Sequence, residues 1–367
     1  MSQKCVVAGF GEVMLRLAAV GHKRLSQSLP GELSAVYGGG EANVCVAIAA
    51  LGGASRYLTR LPDNPVSRAF GAQMRALNVD AEKIIYAPNG RMGIYFVEHG
   101  AAQRGSGVWY DRDHSAIAEA APEDYDFVSM LNGVDHLHIT GITPALSRNA
   151  YLSTLKIAET AKKLGCTVSC DLNYRKKLWN WEPGTAKNVL AGRCMQEIVA
   201  FADIIIGNEA DAADVFGIAA EKSDVEKGSL NTDSYLTVAR RLSEKFPQAK
   251  LIATTLRGSV SADFNYWGGM IYDCSTRQSY LAPVDGNGNY EPYAIRDIVD
   301  RFGGGDSFSG SLIYALNSEK YSHPAEAIKF AVAASCLKHS IEGDYNLVSE
   351  NEVLNLMNGN ASGRVLR

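Results

Sequence analysis

Residues 299–308 read VDRFGGGDSF, so that three consecutive glycines lead directly into Asp306. Apolar residues recur at helical spacing from Phe308 onwards, which predicts that a helix begins at the glycines. The first N–H groups of a helix have no intrahelical partner, and the helix dipole adds partial positive charge, so this turn is suited to hold an anion. An acid beside an anion makes chemical sense if Asp306 takes the proton of a hydroxyl that attacks a phosphate. A plain helix N-terminus is the alternative, because glycine and aspartate are common there.

The composition limits the classes of protein to be considered. A chain of 367 residues with 46% hydrophobic residues fits one large α/β domain with an appendage. The net charge of −4 and the absence of a basic tract argue against a nucleic-acid partner, and no apolar run is long enough to predict a membrane span. The seven cysteines are scattered without a CxxC pair, which favours a reduced, cytoplasmic protein over a disulfide framework or a zinc site.

Short apolar runs alternate with helical patterns along the chain. Strands are predicted at Lys4–Ala8, Ser55–Thr59, His136–Thr140, Thr167–Asp171, Ile204–Gly207 and Leu251–Leu256. Helices are predicted at 41–51, 65–77, 148–164, 186–200, 208–216, 233–246, 305–317 and 323–341. This alternation predicts an α/β fold with a doubly wound, mostly parallel central sheet flanked by helices, and it places ligands at the carboxyl ends of the strands.

Two extended regions interrupt this alternation. Val13–Leu17 and Met92–Tyr110 alternate polar and aromatic residues with few helical signals. We expect them to pair as a small β-sheet that projects from the body as a lid, formed by about 12–37 and 88–114. The segments 219–232 and 283–294 are rich in turn-forming or charged residues and are predicted to be surface insertions.

Several other motifs have both a functional and a structural interpretation. The Gly9-Phe10-Gly11 turn follows the first strand, but a dinucleotide-binding motif would need a third glycine where Met14 stands. Asn43, after a second triple glycine, either holds a ligand hydroxyl or belongs to a tight turn into a core helix. Arg175 follows a buried strand and is suited to pair with a carboxylate, unless it lies in a solvated loop.

Taken together, these motifs resemble the PfkB (ribokinase-like) family of carbohydrate kinases over essentially the whole chain. The segment GGGEANVCVAIAALGG at 38–53 resembles the first signature of that family, and VDRFGGGDSFSGSLIYAL at 299–316 resembles the second. NEAD at 208–211 resembles the family's N-x-x-E metal motif, and TTLRGS at 254–259 resembles its nucleotide segment. The resemblance implies one ribokinase-like kinase domain over 1–367, ATP and Mg²⁺ as cofactors, and a homo-oligomer, with a dimer through the lids as the family-type arrangement.

Within the family, four segments resemble the 2-keto-3-deoxygluconate kinases. They are WYDRDHSA at 109–116, HITGITPALS at 138–147, CDLNYRKKLW at 170–179 and IEGDYNLV at 341–348. The resemblance implies transfer of the γ-phosphate of ATP to the primary hydroxyl of a ketosugar acid, giving its 6-phosphate. It implies these substrate contacts: Gly39, Asn43, Tyr95, Tyr110, Arg112, Arg175 and Asp344. It implies Asp306 as the base, with an anion hole of Gly303, Gly304 and Gly305. The expected ATP contacts are Asn208, Thr255, Arg257, Gly258 and Ser259, and the expected metal contacts, through water, are Asn208 and Asp211.

The chain also departs from the family pattern. Arg301 and Phe302 replace a threonine pair, Arg257 replaces a glycine near the phosphates, and Asp211 replaces a glutamate. Because the 283–294 insertion lies close to where the family holds adenine and a monovalent cation, dependence on K⁺ stays open. A fructokinase, ribokinase or nucleoside kinase of the same fold is the nearest alternative. A dinucleotide oxidoreductase and a non-catalytic sugar- or nucleotide-binding module are alternatives of other classes.

Overall fold

A computed structural model describes residues 4–219 and 232–360. Its strands are β1 Val6–Phe10, β2 Met14–Ala19, β3 Leu33–Gly38, β4 Ala54–Leu58, β5 Arg60–Pro62, β6 Val79–Asp80, β7 Ile85–Ala87, β8 Gly93–Glu98, β9 Gly107–Asp111, β10 His136–Thr140, β11 Thr167–Asp171, β12 Ile204–Gly207, β13 Leu251–Ser259, β14 Asn265–Asp273, β15 Gln278–Ala282 and β16 Tyr293–Ile295. Its helices are α1 Leu25–Ser28, α2 Gly40–Ala50, α3 Pro65–Ala76, α4 Ala116–Glu119, α5 Phe127–Met130, α6 Arg148–Lys163, α7 Lys187–Val199, α8 Glu209–Phe216, α9 Thr232–Lys245, α10 Gly304–Leu316, α11 Pro324–Lys338 and α12 Glu350–Met357.

The central sheet has the order β15-β14-β13-β12-β11-β10-β1-β4-β6, and β16 pairs with β14. Its strands are parallel from β13 to β6, whereas β14 runs antiparallel to both of its neighbours, β13 and β15. The predicted doubly wound, mostly parallel sheet is therefore confirmed. The predicted bounds of the first strand were wrong, because this strand lies at Val6–Phe10 and not at Lys4–Ala8.

Both faces of this sheet are covered by helices. Val7 of β1 packs in a cluster with residues of α2 and α10, whereas its neighbour Ala8 belongs to a cluster that includes α6, α7 and α9. Successive residues of a strand point to opposite faces, so strands covered on both sides consist of continuous apolar residues. The strand His136–Thr140 is buried at every position although it is not wholly apolar, and both of its histidines form hydrogen bonds with the Ser169 hydroxyl.

Capping side chains fix where several helices begin. Asn64 accepts a hydrogen bond from the Ser67 amide at the start of α3, and Ser147 accepts one from the Ala150 amide at the start of α6. Asn208 and Asp211 bond reciprocally at the start of α8, which is a capping box. These caps supply acceptors for amides that have no intrahelical partner, so they set the helix boundaries close to those predicted.

A separate small sheet has the order β3-β2-β8-β9. It combines the two extended regions that the sequence predicted to pair, and we call it the small sheet. The 283–294 insertion is largely exposed, with a bridge between Val284 and Tyr290, while the 219–232 insertion lies almost entirely outside the described residues. All seven cysteines are free. Within residues 4–219 and 232–360, no helix is both long and apolar enough to span a bilayer.

Candidate active site

The triple glycine forms the turn into α10, as the sequence predicted. Gly303 caps the helix with a φ of 73°, and a Cβ at this position would lie 1.9 Å from the carbonyl oxygen of Asp344. Only glycine satisfies both the left-handed backbone and this close approach. A Cβ on Gly305 would meet nothing within 4 Å, so its backbone borders open space. The first-turn amides of α10 are thus exposed to a ligand.

Asp306 lies in this first turn and is half-buried. Its Oδ2 accepts a hydrogen bond of 2.6 Å from Nδ2 of Asn43, in the first turns of α2. Burial raises the pKa of Asp306 to about 6, while the hydrogen bond from Asn43 opposes that rise. At neutral pH the carboxylate is therefore largely ionised but weakly solvated, which suits a general base.

A cleft of about 670 Å³ opens in front of α10. It lies where β11, β12 and β13 end, which is the edge at which doubly wound sheets bind ligands. The following residues line it: Asp171, Asn173, Arg175, Ile206, Gly207, Asn208, Ala210, Asp211, Thr255, Arg257, Ser259, Trp267, Arg301, Phe302, Gly303, Gly304, Gly305, Asp306 and Ser309. The cleft brings together the predicted base, the predicted anion hole and four of the five predicted ATP contacts.

The fifth predicted ATP contact, Gly258, lies on β13 opposite Tyr266 of β14 and does not line the cleft. Its neighbours Arg257 and Ser259 do line it. Along a strand, successive side chains alternate between the two sides, so the residues on either side of Gly258 share the direction that faces the cleft.

Two carboxylates line the cleft besides Asp306. Asp171 accepts hydrogen bonds from the Asn173 amide and the Ser309 hydroxyl, and Asp211 accepts them from the amides of Tyr174 and Asn208. Burial, together with the charges of Asp211 and Asp306, raises the pKa of Asp171 well above its usual value. Within the described residues, no group of three or more histidine, cysteine, aspartate or glutamate side chains could hold a metal ion directly.

A second pocket of about 270 Å³ adjoins the cleft. The following residues line it: Val108, Tyr110, Arg112, Arg175, Lys176, Lys177 and Leu178. Arg175 lines both cavities and is exposed, with one hydrogen bond of 3.3 Å to the carbonyl of Tyr174. Arg112 is buried, and its Nε and Nη2 both donate to Oε2 of Glu12. Because Glu12 pairs with Arg112 and Asp214 lies 3.9 Å from Lys176, the positive field of this pocket comes mainly from Arg175 and Lys177.

Two further predicted substrate contacts lie beside the triple glycine. Tyr95 donates to Oδ2 of Asp344 at 2.7 Å, and Arg16 donates to Oδ1 at 2.6 Å. Burial, with the adjacent Asp344 charge, raises the pKa of Tyr95 well above its usual value. The hydrogen bonds from Tyr95 and Arg16 therefore orient the Asp344 carboxylate from both of its oxygens.

The predicted substrate contact Gly39 caps α2, and its amide donates to Oδ1 of Asn43.

Sequence reasoning missed three charged residues of this region. Arg16 is fully buried and also donates to Oδ2 of Asp300 at 2.7 Å, while Glu12 pairs with Arg112. Arg16 is a charged residue within an extended segment of alternating pattern, and this position was the one sequence signal that it has a special role. Its partners lie 284 and 328 residues away, so the pairing itself could not be foreseen.

Residues 3–256 match the profile of the pfkB family carbohydrate kinases. The 2-dehydro-3-deoxygalactonokinase of Haloferax volcanii is 28% identical over 355 residues, which are 96% of this chain and 97% of that relative. The 2-dehydro-3-deoxygluconokinase of Thermoproteus tenax is 27% identical over 344 residues, 91% of each chain. The crystal structure of 2-dehydro-3-deoxygluconokinase from Thermotoga maritima superimposes with a TM-score of 0.86 at 38% identity, covering 97% of this chain and 100% of that one.

Proposed function

The chain belongs to the pfkB family of carbohydrate kinases, and we propose that it is an ATP-dependent kinase of a ketosugar acid, 2-keto-3-deoxygluconate or its galactonate epimer. One observation carries this proposal. The Asp306 carboxylate stands at the N-terminus of α10, in a cleft that Arg175 connects to a cationic pocket. A base beside an anion site suits phosphoryl transfer, and the cationic pocket suits an acid substrate.

In the proposed reaction, the primary hydroxyl of the sugar acid lies beside Asp306. Its oxygen forms the new bond to the γ-phosphorus of ATP as the bond to ADP breaks, and its proton passes to the Asp306 carboxylate. The amides of Gly303, Gly304 and Gly305 hold the oxygens of the transferring phosphoryl group, where the dipole of α10 adds positive potential. Asn43 holds the carboxylate in its orientation throughout.

The sugar acid is proposed to occupy the cationic pocket and the space between the small sheet and α10. Arg175 binds the substrate carboxylate, since its guanidinium is exposed to both cavities. Tyr110 and Arg112 line the same pocket from the small sheet, which would close over it as a lid. Asp344 and Tyr95 are proposed to bind sugar hydroxyls, and Gly39 lets the backbone of Glu12 approach closely.

ATP is proposed to lie along Asn208, Thr255, Arg257, Gly258 and Ser259. The kinase activity of the family implies ATP, and Mg²⁺ would accompany it. Carboxylate oxygens suit Mg²⁺, and Asp211 and Asn208 would contact it through water, because Asp211 already accepts two backbone amides. When bound, Mg²⁺ neutralises charge on the phosphate oxygens. A monovalent cation such as K⁺ is a further candidate.

The proposed location and assembly rest on fewer observations. Seven free cysteines support a reducing, cytoplasmic location. A homodimer through the small sheets is proposed on the resemblance to the family. Sedimentation of the purified protein would test the dimer, and a monomer at working concentrations would contradict it.

A coupled ATP-consumption assay over ketosugar acids, hexoses and nucleosides tests the proposed function. We expect turnover with 2-keto-3-deoxygluconate or its galactonate epimer, and we expect Asp306→Asn to lower kcat by about 10³-fold or more while ATP still binds. Arg175→Ala should raise KM for the sugar acid far more than KM for ATP. Preferential turnover of fructose, with no effect of Arg175→Ala, would favour a fructokinase instead.

A further inference from the structure

Two arginines reach the cleft from different elements. Arg257 lies near the end of β13, and Arg301 lies two residues before the glycine that caps α10. Nη2 of Arg301 donates to the carbonyl oxygens of Ser261 and Ala262 at 3.0 and 2.6 Å. Arg301 is thereby fixed against the loop that follows β13, which is the strand carrying Arg257.

Neither guanidinium group forms an ion pair within residues 4–219 and 232–360. Arg257 is exposed there and has no hydrogen bond from its side chain. Asp263 and Asp300 offset part of the charge of Arg301 from a distance, and Asp300 is itself paired with Arg16. The positive charge of the pair is therefore directed at the cleft.

The proximity of like charges has an energetic consequence. Burial lowers the pKa of Arg301, and the Arg257 charge lowers it further, which means that the two cations repel each other in the ligand-free protein. An anion between them would relieve that repulsion and would accept the paired N–H groups of each guanidinium. A chain of phosphates offers several such oxygens in a row.

We propose that Arg257 and Arg301 together bind the phosphate chain of the nucleotide, beyond the phosphoryl group held by the α10 amides. The inference rests on the proposed function only for the identity of the nucleotide. It extends the ATP contacts expected from the sequence, because Arg301 was not among them and stands where the family pattern has threonine. Affinity for the nucleotide then depends on its number of phosphates.

Equilibrium binding of ATP, ADP and adenosine tests this inference without requiring turnover. For Arg257→Gln and Arg301→Gln, we expect Kd for ATP and ADP to rise about 10-fold or more, with adenosine binding unchanged. In wild type, the Kd for ADP should rise as salt is added. In both variants, the Kd should rise less steeply with salt concentration. Arg257→Lys should keep the salt dependence while losing part of the affinity.

Arg75→Gln, on the exposed surface of α3, is the matched control for loss of one positive charge. Thermal melts identify any variant that is not folded. Within the described residues, Arg257→Gln removes no hydrogen bond or ion pair, so it keeps the test valid if Arg301→Gln unfolds. ADP binding as tight in Arg257→Gln as in wild type would overturn the inference. Phosphate-dependent binding in a protein that phosphorylates no ketosugar acid would support the inference while overturning the proposed function.

Discussion

The protonation of Asp306 is set by opposing influences. Burial and the charge of Asp344 raise its pKa, to about 6, while the hydrogen bond from Asn43 and the charges of Arg175 and Lys338 favour the charged form. Asparagine donates without adding a charge, so it orients the carboxylate while leaving it basic enough to accept a proton.

The first prediction is a shift in the pH profile of kcat/KM. In wild type, kcat/KM should fall as the pH decreases through about 6, because protonation of Asp306 removes the base. Asn43→Ala removes the interaction that lowers the pKa of Asp306, so the midpoint should move to higher pH. The rate should then be reduced most at pH 6 and least at pH 8. Asn149→Ala, in the first turn of α6, removes an amide that donates to the backbone carbonyl of Glu119 and should leave the midpoint in place. An unshifted midpoint in Asn43→Ala would contradict the assignment.

A single methyl group should separate stability from activity at Gly305. Alanine at this helical position meets no neighbouring atom within 4 Å, and its helix propensity exceeds that of glycine by about 1 kcal/mol. We therefore expect Gly305→Ala to unfold at the same or a higher temperature. The methyl group would occupy the space of the phosphoryl group, so kcat/KM should fall by about 10²-fold. Gly286→Ala, at another open glycine, is the control for stability and should leave the unfolding temperature unchanged.

At the scale of elements, Arg16 links strand β2 of the small sheet to the domain that contains the central sheet. It bonds Asp300, just before the triple glycine, and Asp344, after α11, and its guanidinium lies 4.8 Å from the centre of the Phe302 ring. Although burial acts to lower its pKa, the charges of Asp344 and Asp300 hold the pKa of Arg16 above its usual value. Arg16 therefore ties β2 to the segments on either side of α10 and α11.

Removing that cation should destabilise the protein strongly. Arg16→Met keeps an unbranched apolar stem but removes the guanidinium, so two buried carboxylates lose their cation, which we expect to cost about 3–5 kcal/mol of unfolding free energy. Urea denaturation monitored by tryptophan fluorescence measures the loss. Arg91→Met breaks an ion pair with Asp111 in which both side chains are exposed, and it should cost less than about 1 kcal/mol. Similar losses of unfolding free energy in the two variants would show that the ion pairs of Arg16 do not stabilise the fold.

The sequence predicted best the strands and helices in which a single pattern of residue types marks both ends of the element. β10 and β11 begin and end at the predicted residues, because the β-branched and apolar residues of HLHIT and TVSCD are bounded on both sides by turn-forming residues or helical patterns. β14 was missed because two glycines interrupt it. A Cβ on Gly269 would lie within 3.0 Å of Val332, so close packing of α11 on this strand requires the residue that weakens the strand pattern.

At the scale of the whole molecule, the sequence predicted residues but not their pairing. Asp306 and the triple glycine were found because the chemistry lies in one contiguous segment. Arg112 was expected to contact substrate, and its pairing with Glu12 depends on the register between segments 100 residues apart. A single sequence carries no signal for such a register, so the interior of the site had to come from the structure.

The folded protein also concentrates acidic groups that no local pattern places together. Glu41, in the first turn of α2, is fully buried, and its Oε1 accepts hydrogen bonds from the Thr140 amide and hydroxyl at 3.1 and 2.8 Å. Burial raises the pKa of Glu41 from 4.5 to about 7, the Thr140 bonds oppose this, and the Asp306 charge adds to it. The ligand-free protein thus holds this carboxyl at an energetic cost at neutral pH.

Glu41→Gln should change how stability depends on pH. The folded protein binds the Glu41 proton more tightly than the unfolded chain does, so this group lowers the free energy of unfolding as the pH rises from about 4.5 to about 7. Glutamine cannot titrate, so the stability of Glu41→Gln relative to wild type should increase by about 3 kcal/mol across this range.

Buried His136 and His138, whose pKa values are lowered by burial, change the stability with pH in the opposite direction. They are common to both proteins, so their effect cancels in the difference. Glu159→Gln removes a half-exposed carboxyl whose pKa is lowered by Lys163 and Lys156, so its relative stability should decrease with pH only below about 4.5 and stay nearly flat from there to about 7. Urea denaturation at closely spaced pH values measures both differences, and a Glu41→Gln difference that is flat or falls with pH would mean that Glu41 is charged at little cost in the folded protein.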